Sequence, residues 1–410
     1  MKKTKEKNIL KIGGGIIIIS LGIFLSFHFI NSAEFHFDIT NHSQTAIIDD
    51  TPKKLTNPPK NIKAIYLTAY TASDEKRMDE IIDLANKKEI NAVVIDLKDY
   101  SGHILFDTKS EYLKKFGTED ILIKDLKTLI NKLHKNGIYV IARITVFQDP
   151  VLAEKRPDLA VKSKKANGAI WKDNKGLAWI DPAAPEAWNY ILVISKSVMQ
   201  YGFDEINFDY VRFPSDGLLS DMSFPYYDGV KEKREVLKEF FKYLSDNLRP
   251  LGIKISADVF GLTTVFNHDM NIGQVLEDTL LYFDYVCPMV YPSHYASGFL
   301  GYKNPANYPY EVIKYSLDTA QTRINKFKEE KLAENPYQNL RIAVLRPWLQ
   351  NFDLGAVYDA SMIIKQKEAV YDSLCPNWKI EGFDNCSNYN GWFLWDPKNI
   401  YTPSALEDEF

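Results

Sequence analysis

Residues 202–214 read Gly-Phe-Asp-Glu-Ile-Asn-Phe-Asp-Tyr-Val-Arg-Phe-Pro, and the centre of this stretch, residues 205–209, predicts a buried β-strand with a polar end. Side chains alternate along a strand, so Glu205, Asn207 and Asp209 share one face while Phe208 lies on the other. The apolar Phe208 must pack against surrounding helices, and Asp209 therefore points to the opposite side. In a parallel barrel this side is the mouth, where functional groups gather at the C-terminal strand ends.

On both sides of this strand the chain alternates short apolar runs with amphipathic helical stretches, the pattern of a parallel sheet with crossover helices. The eight predicted strands lie at residues 64–68, 92–96, 139–144, 205–209, 253–258, 285–290, 342–346 and 392–395. Helical patterns occur at residues 79–88, 123–135, 185–201, 231–248 and 311–331. Eight such units close a (β/α)8 TIM barrel, which we predict over residues 61–410. An open doubly wound sheet is the alternative, although no glycine-rich phosphate loop supports its dinucleotide-binding form.

The first 60 residues predict export and a membrane anchor. Residues 1–30 contain four lysines before residue 8 and then an apolar run, residues 12–30, without Asp, Glu, Lys or Arg. At ~1.5 Å per residue this run approaches the ~30 Å hydrocarbon core, and the lysines predict a cytoplasmic N-terminus. Residues 31–60 are polar and predict a flexible linker. We expect a single-pass cell-membrane protein with an extracytoplasmic barrel; a signal peptide cleaved near Ser32-Ala33 is the alternative.

Composition argues against several other classes of protein. The net charge is −4 with mixed signs, which disfavours a nucleic-acid binder. The 7 histidines are scattered and no Cys/His spacing resembles a zinc site, so we expect no metal or other cofactor and disfavour a metal-dependent deacetylase. Cys287 lies in an apolar run and is predicted to be a buried thiol. Cys375 and Cys386 lie in a polar loop and form either a disulfide, in an oxidising compartment, or two free thiols.

The predicted strand ends are unusually polar. In chain order they carry Asp96, Asp99, Arg143, Asn207, Asp209, Arg212, Asp258, Tyr291, His294, Arg346, Trp348 and Trp395. Each buried charge needs its own compensation, so a coincidence across six neighbouring strands indicates a site. Convergent carboxylates suit glycoside cleavage, in which one carboxylic acid protonates the leaving oxygen and a second carboxylate attacks the sugar or activates water. Other strand-end residues are predicted to bind substrate, namely Asn207, Tyr291, His294, Arg346, Trp348 and Trp395. Arg143 and Arg212 are predicted to bind substrate and to keep a carboxylate ionised.

Asp209 and Asp258 are the predicted catalytic residues. Neighbouring strands lie ~4.8 Å apart, so carboxylates on the fourth and fifth strands could reach the ~5–5.5 Å separation of a retaining pair. We predict a retaining glycosidase with Asp209 as nucleophile and Asp258 as acid/base. Asp96 and Asp99 are competing carboxylates, predicted to bind sugar hydroxyls, to pair with Lys98 or Arg143, or to supply the acid. A surface glycan-binding barrel without turnover is the alternative function.

Five segments of the chain, residues 202–214, 258–261, 288–295, 345–350 and 391–395, occur in this order in one bacterial family. Through them, residues 63–401 resemble the glycoside hydrolase-like domain of unknown function, family 4015. The resemblance implies a barrel related to the glycoside hydrolases. Together with the predicted location, it indicates a cell-envelope glycan or an exopolysaccharide as the substrate.

Two looser similarities bear on the choice of the acid. The fourth strand is similar to the Asp-x-x-Asp-x-Asp-x-Glu motif of family 18 chitinases, with Asp204, Asn207 and Asp209 on its first three acidic positions. Val211 stands where that motif has its acid, which argues against the chitinase mechanism. The α-amylase superfamily has a fourth-strand nucleophile and a fifth-strand acid, which is similar to the placement of Asp209 and Asp258.

Overall fold

The computed structural model describes residues 53–337 and 340–408, so the predicted anchor and most of the predicted linker lie outside the described residues. Eight parallel strands form a closed barrel, as predicted. The strands are β1 Ile62–Leu67, β2 Ala92–Lys98, β3 Tyr139–Thr145, β4 Glu205–Asp209, β5 Lys254–Phe260, β6 Tyr285–Met289, β7 Val344–Leu345 with Trp348–Gln350, and β8 Gly391–Trp395. Each strand pairs with its neighbours in chain order, and β8 closes the ring against β1.

Strand β7 differs from its predicted span, residues 342–346. Its first part pairs with β6 through Tyr285 and Val344, and its second part pairs with β8 and reaches β6 again at Met289. Pro347 lies between the two parts and has no N–H to donate to a sheet ladder. After the interruption the strand continues to Gln350. This second part contains Trp348, which therefore becomes part of the barrel.

The helices that surround the barrel are α1 Ala69–Ser73, α2 Glu75–Lys87, α3 Glu111–Lys114, α4 Leu126–Lys135, α5 Pro150–Lys155, α6 Pro185–Met199, α7 Lys233–Leu248, α8 Leu276–Leu280, α9 Pro309–Glu334, α10 Ala360–Leu374 and α11 Trp378–Glu381. The five predicted helices correspond to α2, α4, α6, α7 and α9. Asp74 and Asp125 cap α2 and α4 through side-chain hydrogen bonds. None of the helices within residues 53–337 and 340–408 is long and apolar enough to cross a membrane.

Two apolar cores separate the inside of the barrel from its helical layer. The inner core contains Ala64, Val94 and Ile141 from neighbouring strands. The outer core joins the strands to the helices, and Phe208 packs there with its ring centroid 6.4 Å from that of Phe283. The alternation predicted for the fourth strand is therefore confirmed, and its polar residues face the barrel interior.

The long connection between β3 and α6 folds over the barrel mouth. Its residues Ala160 and Ile180 form a bridge, as do Lys172 and Ala178, so the segment doubles back as a hairpin. A short antiparallel ribbon joins Lys162–Ser163 of this segment to Met222–Ser223 of the β4–α7 connection. The ribbon fastens together two loops that line the mouth.

The three cysteines and the residues before β1 lie in separate parts of the fold, with Cys287 of β6 paired in register with Asp258 of β5. Cys375 and Cys386 form a disulfide with a Cα–Cα distance of 5.2 Å, and Cys287 is a buried free thiol in β6. At the N-terminal end of the barrel, the backbone N–H of Leu55 donates to Asp204 Oδ1 at 2.7 Å. The described end of the predicted linker is therefore bound to the barrel.

Candidate active site

A cavity of about 510 Å³ opens at the C-terminal ends of the strands. Eight of the twelve predicted site residues line it, namely Arg143, Asp209, Arg212, Asp258, Tyr291, His294, Trp348 and Trp395. Asp96, Asn207 and Arg346 lie beneath it, and Asp99 lies to one side. The strand-end prediction thus brings most of the selected residues into one cavity, from six different strands or the loops that follow them.

Arg143 of β3 joins three carboxylates. Its Nη1 donates to Asp96 Oδ1 at 2.5 Å, its Nη2 donates to Asp209 Oδ2, and its Nε lies 3.8 Å from Asp258 Oδ2. All four side chains are buried. Because Asp209 and Asp258 approach the same small guanidinium, their nearest oxygens are separated by less than roughly 9 Å, within the spans used by glycosidase carboxylate pairs.

Asp258 of β5 is almost completely buried, and its two oxygens differ. Oδ1 accepts hydrogen bonds from Asn207 Nδ2 at 2.8 Å and from Trp348 Nε1 at 2.7 Å. No donor among the described residues binds Oδ2. Burial, and then the neighbouring Asp209 carboxylate, raise the pKa of Asp258 well above the ordinary value for a carboxyl. A proton on this residue therefore belongs on Oδ2, because Oδ1 already accepts two N–H groups.

Asp209 ends β4 and is held by two donors. Arg143 donates to Oδ2, and the backbone N–H of Tyr210 donates to Oδ1 at 2.5 Å. Tyr210 has a positive φ of 54°, an uncommon conformation for a residue with a bulky side chain. This turn carries the chain away from the strand and places the ring of Tyr210 against the cavity. Strained backbone of this kind is concentrated at functional sites.

Beneath the cavity, a second buried ion pair closes the barrel interior. Arg346 Nη1 donates to both carboxylate oxygens of Glu205 at 2.9 Å, and both side chains are fully buried. Ser256 Oγ also donates to Glu205, at 2.6 Å. Asn207 lies one layer above, between Ser256 and Asp258. We had expected Arg346 and Asn207 to contact substrate. Both side chains instead direct the hydrogen bonds given above to groups inside the barrel, and they support the cavity from below.

The two competing carboxylates of the second strand have separate environments. Asp96 accepts from Tyr66 Oη at 2.5 Å as well as from Arg143, and it is enclosed beneath the cavity. Asp99 accepts from the backbone N–H of Ser101 at 2.9 Å, within its own turn. Asp99 does not line the cavity, since β2 has already ended at Lys98.

Aromatic rings form one wall of the cavity. Trp395 stacks on Tyr66 with ring centroids 3.9 Å apart, and Trp348 meets Trp395 edge to face at 5.6 Å. Tyr291 packs edge to face against Phe352 at 5.8 Å. Flat, partly apolar surfaces beside carboxylates suit the faces of sugar rings.

Several cavity residues were not among the predicted ones. Tyr210 and Phe260 directly follow or end polar strands and could have been found by the same strand-end rule. Lys175 reaches the cavity from the hairpin between β3 and α6, and no local sequence signal places it there. Within the described residues, no group of three or more His, Cys, Asp or Glu side chains could hold a metal ion.

The closed barrel, the carboxylates at its mouth and the aromatic wall define a (β/α)8 barrel of the glycoside hydrolase class. Residues 64–401 match the family model described as "Putative glycosyl hydrolase domain", and the chain belongs to this family. The family resemblance seen in the sequence is therefore confirmed. No curated protein matches the chain at a significant level.

Solved structures with similar folds include proteins from three bacteria. A hypothetical protein from Ruminiclostridium thermocellum ATCC 27405 is 40% identical, with 48% of this chain and 97% of that chain covered and a TM-score of 0.44. The PgaB (BpsB) glycoside hydrolase domain from Bordetella bronchiseptica is 12% identical, with 83% and 95% covered and a TM-score of 0.54. An α-galactosidase from Thermus thermophilus is 11% identical, with 86% and 61% covered and a TM-score of 0.47. The similarity to the PgaB domain supports the barrel fold.

Proposed function

We propose that this protein is a retaining glycoside hydrolase in which Asp209 is the nucleophile and Asp258 is the acid/base. The observation that carries the proposal is the pairing of unlike carboxyl groups around Arg143. Asp209 accepts a guanidinium N–H, whereas Asp258 is buried with a raised pKa and an Oδ2 that has no donor. Two neighbouring carboxyl groups with different environments are what the acid and nucleophile roles require.

In the first step, Asp258 Oδ2–H donates its proton to the glycosidic oxygen while Asp209 attacks the anomeric carbon. The bond from that carbon to the leaving oxygen breaks, and a glycosyl ester forms on Asp209. In the second step, Asp258 removes a proton from water, and the water oxygen attacks the anomeric carbon and releases Asp209. Arg143 stays bound throughout and positions the nucleophile.

The proposed substrate is a glycan of the cell envelope or an exopolysaccharide. The apolar run at residues 12–30 and the lysines before it support a membrane-anchored protein with its barrel outside the cytoplasm. The family description supports action on a glycosidic bond. A barrel close to the membrane surface would meet such polymers first.

The test uses Asp209→Asn and Asp258→Asn with aryl glycosides that differ in leaving group. We expect Asp209→Asn to lose activity on all of them, because no nucleophile remains. Asp258→Asn should keep its first step on glycosides with acidic phenol leaving groups, since these need no protonation, and azide should restore its turnover. Asp83→Asn, an exposed change on α2, is the matched control.

Undiminished hydrolysis by both active-site variants would remove the assignment of the two carboxylates. Glycan binding by the parent protein without any product from any glycan would instead favour the non-catalytic barrel. An α or β product of opposite configuration to the substrate would exclude the retaining route and leave an inverting one.

A further inference from the structure

Arg212 is a buried cation in the cavity, and no ion pair joins it to any of the described residues. It is 8% exposed, and it lines the cavity where the β4–α7 connection begins. Its Nη1 donates to the carbonyl oxygen of Phe213 at 3.2 Å and to Ser215 Oγ at 3.0 Å. Its Nε and Nη2 donate to no acceptor in the described part of the chain. No carboxylate oxygen there lies within 4.0 Å of a guanidinium nitrogen, the limit for an ion pair.

Three aromatic rings hold this guanidinium in place. Its central carbon lies 4.7 Å from the ring centroid of Trp179, 4.7 Å from that of Phe260 and 5.2 Å from that of Tyr210. Cation–π contacts fix the position of the group, but they do not satisfy its N–H donors. The cage therefore presents a preoriented fork to the cavity.

The other two fully enclosed arginines of the barrel are treated differently. Arg143 has carboxylate partners in Asp96 and Asp209, and Arg346 has Glu205. Burying a charge without a partner is costly, and burial lowers the pKa of Arg212. The fold thus pairs Arg143 and Arg346 with carboxylates, whereas Arg212, which lines the cavity as Arg143 does, has no ion-pair partner among the described residues.

In the described part of the chain no acidic group lies within ion-pair distance of Arg212, although the charges of Asp209, Asp216 and Asp173 act from further away against the lowering of its pKa by burial. Asp209 is held by Arg143 and by a backbone N–H. Asp173 accepts from Trp179 Nε1 at 3.0 Å and from backbone N–H groups of its own turn. Asp216 lines the same cavity from an exposed position on the loop.

A second cation lies on the rim of the cavity. Lys175 reaches the mouth from the turn of the hairpin between β3 and α6. Burial first, and then the charge of Lys175, lower the pKa of His294 across the mouth. His294 is therefore more readily neutral, and the positive charges facing this part of the cavity come from Arg212 and Lys175.

We infer that the glycan carries an anionic substituent, a carboxylate, sulfate or phosphate, which Arg212 binds beside the catalytic carboxylates with Lys175 at the rim. A planar guanidinium whose Nε and Nη2 donate to no acceptor among the described residues matches such oxyanions. The inference rests on the proposed function for the place of the sugar ring, but it concerns binding and does not depend on turnover.

The experiment measures binding by titration calorimetry, with the full barrel carrying Asp209→Asn so that no probe is consumed. The probes are glucose, glucuronate, glucose 6-sulfate and glucose 6-phosphate. We expect at least one anionic probe to bind about 10- to 100-fold more tightly than glucose, the factor that a hydrogen-bonded charge supplies. The probe that binds best identifies the anion.

In the same background, Arg212→Met should remove the preference for the anion, and Arg212→Lys should keep part of it, because the charge remains and the fork is lost. Lys242→Met, an exposed change on α7, removes one positive charge away from the mouth and should leave the preference intact. Equal binding of all probes, binding of none, or the same preference in Arg212→Met would each overturn the inference. Hydrolysis of neutral and acidic glycans at equal rates would overturn the inference about the anion and leave the proposed function standing. Arg212-dependent anion binding without hydrolysis would support the inference and overturn the proposed function.

Discussion

The raised pKa of Asp258 predicts that Asp258→Asn makes the folded barrel more stable at neutral pH. An amide fits the site, because its oxygen can accept from Asn207 and Trp348 as Oδ1 does, and its nitrogen takes the place of Oδ2. Because its pKa is raised in the folded parent protein, Asp258 releases its proton at a higher pH there than in the unfolded chain, where the pKa is ~3.9. The folded state binds more protons, so the free energy of unfolding contributed by this group falls as pH rises.

One proton corresponds to about 1.4 kcal/mol per pH unit between the unfolded pKa and the raised folded pKa of Asp258. The Asp258→Asn variant has no carboxyl group at this position, so its free energy of unfolding does not fall with pH for this reason. The difference in free energy of unfolding, variant minus parent, should therefore grow from about pH 4 upward at about this slope and become constant above the folded pKa. Groups that do not interact with Asp258 titrate alike in the two proteins and cancel in the difference, whereas Asp209, whose charge raises the pKa of Asp258, also contributes to it.

Urea unfolding of both proteins at each pH unit from 4 to 8 measures this difference. Asp209→Asn is the matched control, since it removes a charged partner of Arg143 and should destabilise the barrel at pH 7. A difference that does not change with pH, or one that falls as pH rises, would refute the conclusion that Asp258 is protonated. The assignment of Asp258 as the acid would then fail with it.

Two further predictions concern the same interior. Arg346→Met leaves Glu205 buried without its partner and should lower the free energy of unfolding by about 3–5 kcal/mol. The double variant with Glu205→Gln should recover most of this loss. If urea unfolding shows that the effects of the two substitutions simply add, the pairing is contradicted. Trp348→Phe removes a hydrogen bond that lowers the pKa of Asp258, so the basic limb of the kcat/KM profile should move to higher pH. Trp395→Phe, which breaks no bond to Asp258, should not move that limb, and a shift to lower pH in Trp348→Phe would oppose the acid role.

The fold was predictable because its signal repeats. Each of the first seven strands is a short apolar segment followed by at least one helix, so an error in one unit does not hide the pattern. The seventh strand shows the limit of the method. Its predicted span ended at Arg346, but the chain resumes the strand at Trp348 after Pro347. A local pattern does not show that a strand continues beyond a proline, because the continuation depends on neighbours far away in sequence.

The site was predictable as a set of residues and less so as a set of roles. Alternation on the fourth strand correctly directs Asp209 inward, but it directs Glu205 and Asn207 inward as well. The three side chains lie at different depths along the barrel. Glu205 accepts from Arg346 and Asn207 donates to Asp258 below the cavity, so neither Glu205 nor Asn207 lines it. Lys175 could not be found at all from the strand ends, because a long hairpin brings it to the mouth.

Val211 stands where the chitinase motif has its acid, and the surroundings of Val211 bear on this difference. This side chain is fully buried in the outer core and does not line the cavity. A glycosidase acid in this barrel is therefore expected among the carboxylates that do line the cavity. The carboxylates that line the cavity are Asp209, Asp216 and Asp258. Asp209 is bound by Arg143 and Asp216 is exposed on a loop, whereas Asp258 is enclosed and has a pKa raised by burial and by Asp209, which supports the proposal that the fifth strand supplies the acid.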